Sequence, residues 1–201
     1  MATPKPYSLS LWIDTATPYL FVALCEEDHV LKEVYAKGEN DHSKTLMPTI
    51  DEVLRQAGAS VKALKDITVG VGPGSYTGTR IGVVVAKTLA QGLDIPLYQV
   101  SSLALMASHY DTPVIAAVDA RRGYVFAGQY DTVPTINVRH EDVYTTLETF
   151  QTSPALKVVY EGKPVIEKCF NVRTLVDDLY ALAPTYLRQT QAENEHEHQT
   201  A

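Results

Sequence analysis

The sequence predicts an α/β fold in which helices pack on mixed β-sheets. Three observations carry that expectation. Three short strand patterns open the chain, a glycine-rich turn at 72–82 joins a strand to a helix, and the second half repeats the order of the first more weakly.

Residues 8–13, 20–26 and 30–36 read as strands, rich in apolar residues and bounded by turn chemistry. The breaks are Asp14, Thr15, Ala16, Thr17 and Pro18, then Glu27, Asp28 and His29. Gaps this short imply an antiparallel meander. A helix is expected over 43–57, where Leu46, Met47, Ile50, Val53, Leu54 and Ala57 recur at helical spacing. Ser43 is placed to cap it and Gly58 to end it, while Pro48 leaves the first turn open. Residues 67–71 form a strand, the glycine-rich turn follows, and a second helix runs over 79–93 to Asp94 and Pro96. A strand at 96–100 and a short helix at 102–109 complete the first cycle, which describes a mixed sheet with packed helices.

The second cycle places strands at 114–118 and 124–130 around the turn Asp119, Ala120, Arg121, Arg122 and Gly123. A strand at 136–139, a short helix at 145–150, a strand at 156–160 and a helix at 174–183 stopped by Pro184 follow. Two related lobes are therefore expected, 1–103 and a smaller 104–188. The polar tail at 189–201 is expected to be mobile.

The chain has 201 residues, 45% hydrophobic and 20% charged, enough for a sizeable core. A net charge of −7 argues against a large autonomous nucleic-acid-binding face, though not against a local basic spot. Cys25 and Cys169 are too few for a disulfide framework and are expected to be reduced. No window approaches the length of apolar residues that spans a membrane, and the N-terminus lacks a signal-peptide pattern. A cytoplasmic location is expected.

The densest chemical signal is the turn Gly72, Pro73, Gly74, Ser75, Tyr76, Thr77, Gly78, Thr79, Arg80, Ile81 and Gly82. Glycines let a ligand or another backbone come close, and unpaired N–H groups at a helix start favour anions. The turn nevertheless fails the Walker A, dinucleotide and nucleophile-elbow templates. Two readings stay open: close packing of helix on sheet, or contact with phosphate or a partner. In the second, Asp14, Gly74, Ser75, Thr77 and Arg80 would touch a nucleotide.

Further along, Gly82, Ala86 and Ala90 form a small-residue stripe beside an apolar row of Ile81, Val85 and Leu89. Together with Leu46, Met47, Ile50 and Leu54 they make a candidate partner face, although both rows also suit the chain's own core. Asp14 suits turn capping better than metal–nucleotide binding, since no glycine follows it before Tyr19. Asp119 with Arg121 and Arg122 reads either as a phosphate clamp or as a surface salt-bridge cluster. His42 before Ser43 is either catalytic or a helix-start group. His196 and His198 in the tail suggest at most adventitious metal binding.

These motifs resemble the TsaB family, the bacterial partner protein in threonylcarbamoyladenosine modification of tRNA. The matching residues are Ile13 to Thr17, His42 and Ser43, Pro48 with Ile50 and Asp51, the 72–82 turn, and Ala86 and Lys87 with Leu89 and Ala90. They continue through Pro96, Leu97, Val100 to Leu103, Asp119 to Gly123, and Pro184 with Tyr186 to Arg188. Tyr76 and Thr79 depart from the Phe and Leu common there.

The resemblance implies an actin/Hsp70/hexokinase-like (RNase H-like) fold of two lobes, and a non-catalytic relative of the catalytic subunit TsaD. That subunit carries a His-x-x-x-His metal pair where this chain has Ser102 and Met106, so no catalytic residue, metal ligand or cofactor is expected here. The implied partners are a TsaD-like subunit and a TsaE-like ATPase, with a homodimer possible in isolation and tRNA met through the complex. The implied chemistry is transfer of a threonylcarbamoyl group to adenosine 37 of tRNAs reading ANN codons. The rivals are a small actin-like kinase or ATPase using Asp14 and the glycine turn and, weaker, a metallopeptidase.

Overall fold

The computed structural model describes residues 8–38, 41–150 and 156–187. β1 (Leu9–Asp14), β2 (Tyr19–Glu26) and β3 (His29–Lys37) form the expected antiparallel meander. The chain then crosses through α1 (His42–Gln56) to β4 (Leu64–Gly70), which lies parallel to β1. It crosses again through α2 (Tyr76–Leu93) to β5 (Leu97–Val100), parallel to β4. The strand order β3-β2-β1-β4-β5 with helices on the crossovers is the RNase H-like arrangement.

After α3 (Ser102–Ala107), β6 (Val114–Asp119), β7 (Val125–Asp131) and β8 (Asn137–Thr145) repeat the meander. The short α4 (Leu147–Phe150) then precedes β9 (Lys157–Val159), which is parallel to β6. The order β8-β7-β6-β9 restates β3-β2-β1-β4, so the weak internal echo in the sequence is a true structural repeat. Asp14 and Asp119 end the equivalent first strands of the two lobes.

Two cores flank the first sheet. On one face Leu11, Ile13, Val22 and Leu24 meet Leu46, Ile50, Val53 and Leu54 of α1 and Val83, Ala86 and Ala90 of α2. On the other, Trp12, Phe21 and Ala23 meet α3 and, beyond it, Val114, Ala116 and Tyr130 of the second sheet. All six residues of α3 are buried, as a helix packed between two sheets requires. Cys25 and Cys169 are free, and burial pushes the Cys169 thiol up to about 12 and that of Cys25 higher still.

Several expectations need correction. The helix expected over 174–183 is absent. Thr174 and Leu175 instead form β10, antiparallel to β5, and Val176 N–H donates to the Leu97 carbonyl. The Asp178 carboxylate then accepts from the N–H groups of Tyr180 (2.7 Å) and Ala181 (3.3 Å), a local turn that competes with a helix. Within the expected 104–188 span, the chain thus returns to the first sheet at its end. α1 starts at His42, with Asp41 rather than Ser43 in the cap position. α2 starts three residues earlier than expected, capped by Ser75, whose Oγ accepts from Gly78 N–H at 3.2 Å. The tail at 189–201, with His196 and His198, lies outside the described residues.

Candidate functional site

Two turns meet at the ends of β1 and β4. The first runs from Asp14 to Thr17. The buried Asp14 carboxylate accepts from Ala16 N–H at 3.3 Å, and Thr17 Oγ accepts from Tyr19 N–H at 3.1 Å. Each is a local side-chain-to-backbone turn of the kind Asp and Thr favour. The second is the glycine-rich turn, in which Gly72 has φ +92, a conformation a β-carbon resists.

The glycines admit the chain's own backbone. A Cβ on Gly74 would overlap the Ala16 carbonyl oxygen, and one on Gly78 the Thr15 carbonyl oxygen. Ser75 N–H donates to Ala16 O at 2.7 Å, and Thr15 Oγ donates to Gly78 O at 2.7 Å. Of the two readings left open by the sequence, close packing accounts for Gly74 and Gly78. Gly82 serves the same end, its α-carbon facing Thr15 Oγ.

Asp14 is also held from the far side. Ser102 Oγ donates to it at 2.7 Å and accepts from Gly72 N–H at 3.0 Å, while Ser102 N–H donates to Gly72 O at 2.9 Å. Burial raises the Asp14 pKa to about 6, opposed by the Ser102 and Ala16 hydrogen bonds and by nearby His42. Ser102 is 1% exposed and Met106 is buried in α3. His42, the first residue of α1, is a buried anchor. Its Nε2–H donates to the Thr17 carbonyl at 3.1 Å, and its Nδ1 packs over Gly38, where a Cβ would not fit.

Between the lobes lies a cleft with a volume of about 1010 Å³. Ala16 to Pro18, His42, and Gly74 to Thr79 line one wall, and Ala117 to Arg121 with Phe126 line the other. The five residues the sequence offered for a nucleotide do not converge on it. Gly74, Ser75 and Thr77 line the cleft, but Asp14 points to Ser102. Arg80 turns to the C-terminal segment, stacking on Tyr76 at 3.9 Å and donating to Tyr186 Oη at 2.6 Å.

That segment straps α2. Lys87 Nζ donates to the carbonyls of Leu182 (2.9 Å) and Tyr180 (3.3 Å), and Thr185 N–H donates to Val71 O at 2.8 Å. Lys87 thus ties α2 to the segment that carries Pro184 and Tyr186. Sequence reasoning missed a further, partly buried network. Tyr130 Oη donates to Asp142, and Ser101 Oγ donates to the same carboxylate at 2.6 Å while capping α3. Asp142 sits in a strand the hydrophobic pattern cut short at 139, so no periodicity signalled it.

The candidate partner face divides. Leu46, Ile50, Leu54, Gly82, Ala86 and Ala90 are buried in the chain's own first core, so the small-residue stripe lets α2 approach its own sheet. Met47 stays 47% exposed, Ile81, Val85 and Leu89 are half-buried, and Val84, absent from the expected set, is 60% exposed.

A family model for TsaD, tRNA N6-adenosine threonylcarbamoyltransferase, matches residues 30–192. The TsaB protein of Bacillus subtilis is 33% identical over 91% of this chain and 95% of its own length. That of Escherichia coli is 36% identical over 60% of this chain and 54% of its own. Among solved structures, YeaZ from Pseudomonas aeruginosa superposes with a TM-score of 0.76 at 23% identity, covering 90% of this chain and all of that one. With a relative of this identity aligned along nearly its whole length, the chain belongs to the TsaB family of tRNA threonylcarbamoyladenosine biosynthesis proteins.

Proposed function

We propose that this chain is a non-catalytic subunit of the machinery that forms threonylcarbamoyladenosine at adenosine 37 of tRNAs reading ANN codons. In this reading it pairs with a TsaD-type catalytic subunit and recruits a TsaE-type ATPase. The observation that carries the reading is the state of Ser102. At the position where the catalytic relative is expected to hold a metal-binding imidazole, the Ser102 hydroxyl is buried and engaged by Asp14 and Gly72. The companion position holds Met106, a soft thioether poorly matched to an oxygen/nitrogen metal site. The exposed Met47 and Val84, with the half-buried Ile81, Val85 and Leu89, supply an apolar surface on α1 and α2 for a partner helix pair or a second copy.

The test is depletion of the protein followed by measurement of threonylcarbamoyladenosine in total tRNA. The modification is expected to fall, and purified chain is expected to restore it in extracts only when the TsaD-type subunit is present. Restoration without that subunit would place catalysis on this chain and overturn the reading.

A second reading, a small actin-like ATPase, is favoured by one observation, the inter-lobe cleft into which the start of α2 opens. Calorimetry with ATP and magnesium on the isolated chain decides it, since heat of binding together with turnover is required.

A further inference from the structure

We propose that the tip between β6 and β7 binds single-stranded RNA, with Arg121 and Arg122 holding phosphates and Tyr124 stacking a base. The inference deepens the tRNA-modification reading, which supplies RNA rather than DNA as the strand. The chemistry of the tip stands on its own geometry.

The connection from Asp119 to Val125 is closed tightly. Asp119 accepts from Arg121 N–H at 2.9 Å, Ala120 N–H donates to Tyr124 O at 2.9 Å, and Tyr124 N–H donates to Arg121 O at 3.2 Å. Arg121 and Arg122 both have left-handed backbone, with φ of 67 and 57, and Gly123 continues it at 81. Side chains with a β-carbon resist this conformation, and Asn or Gly would relieve it at either position. Strain of this kind in two consecutive arginines points to a use for the side chains themselves.

Those side chains are available. Among the described residues, Arg55, Arg139 and Arg173 are ion-paired and Arg80 is bonded to Tyr186. Arg121 and Arg122 enter no ion pair there, so the salt-bridge cluster that the sequence allowed does not form. Both are exposed, as are Gly123 and Tyr124 after them. In a chain of net charge −7 they make a local positive point rather than part of a general basic surface.

Beside them is a stacking platform. Tyr124, 40% exposed, lies flat on Tyr144, with centroids 4.7 Å apart and planes 10° apart. Phe126 packs against the same ring at 5.7 Å. Exposed guanidinium groups next to an exposed aromatic face match the two recurring parts of a nucleic acid strand, phosphate and base. An acidic peptide would use the arginines and leave the ring idle. Arg121 also lines the inter-lobe cleft, so the tip adjoins it.

The test titrates the full chain into a fluorescein-labelled single-stranded oligoribonucleotide of about 12 nucleotides, read by anisotropy across a potassium chloride series. The key variant is Arg121→Asn with Arg122→Gly, which removes both charges while suiting the left-handed backbone. Its thermal midpoint is expected to equal or exceed the parent's. Its RNA affinity is expected to drop about tenfold or more, and the slope of log affinity against log salt to shrink by about 1.4. Tyr124→Ala is expected to weaken binding about tenfold and leave the salt slope unchanged. Unchanged affinity and slope in the arginine variant, or no RNA binding by the parent at low salt, overturns the proposal. Binding of free ATP but not of the oligonucleotide overturns it too. Those failures leave the tRNA-modification reading standing, because it is tested by the modification content of tRNA and not by RNA affinity.

Discussion

The Thr15 hydroxyl donates a 2.7 Å hydrogen bond to the Gly78 carbonyl, tying the turn after β1 to the first turn of α2. The bond forms because Gly78 has no β-carbon. One there would overlap the Thr15 carbonyl oxygen. Gly78→Ala is therefore expected to cost about 1–3 kcal/mol or more in urea unfolding, through forced separation of two backbones. Gly92→Ala is the contrast: it lies in the same helix with open space around it, and is expected to stabilise by about 0.5–1 kcal/mol.

Asp14 predicts a pH dependence. Its folded pKa is about 6, raised chiefly by burial from an ordinary 3.8. Between those values the native state binds the extra proton, so the group's contribution to stability falls as pH rises through that window. Asp14→Asn removes the buried charge. It is expected to gain on the order of 2–3 kcal/mol relative to the parent at pH 8 over its difference at pH 4. An equal offset at both pH values in paired denaturation curves would contradict this.

Lys87 holds the returning C-terminal segment by two carbonyls. Lys87→Met keeps the stem and removes the donors, at a cost of about 1–2 kcal/mol. Hydrogen exchange is expected to speed up over 176–187 while the amides of β1 and β4 stay protected. Uniform acceleration across both sheets would mean that the strap is part of one global unfolding unit.

The partner face gives opposite outcomes for neighbouring residues on α2. Val84→Glu changes an exposed side chain and is expected to abolish co-purification with a TsaD-type subunit while leaving the thermal midpoint within a few degrees. Ala86→Arg, two residues on, puts a long cation into the first core and is expected to unfold the chain. Retained co-purification of a folded Val84→Glu protein would move the interface elsewhere.

Tyr130 and Ser101 share the Asp142 carboxylate in the second lobe. Tyr130→Phe leaves that half-buried acid short of a donor and is expected to cost about 1–3 kcal/mol, measured by thermal unfolding. Ser101→Ala also strips the cap from α3 and is expected to cost at least as much.

Much of the fold was legible. Apolar runs bounded by turn residues marked β1 to β5, and 3.6-residue spacing marked α1 and α2, because all of these segments except the largely exposed β3 bury residues in a continuous core. The internal repeat was visible because Asp14 and Asp119 end equivalent strands. The stretch over 174–183 misled because its apolar residues Val176, Leu179 and Leu182 do pack on the first core, but as an irregular strap. Hydrophobic spacing reports burial there and not backbone geometry.

The sequence by itself determined that the 72–82 turn needs glycine and that the helix beyond it is too apolar to stand alone. Only the tertiary structure decided what comes close to each. The backbone of Ala16 and Thr15 fills the space left at Gly74 and Gly78, and the chain's own sheet covers Ala86 and Ala90. The reason is that a missing β-carbon, or a stripe of small side chains, states how near a neighbour can come. Which neighbour arrives is set by strand pairings between residues far apart in sequence, such as Ile13 with Val69, and local pattern carries no record of them.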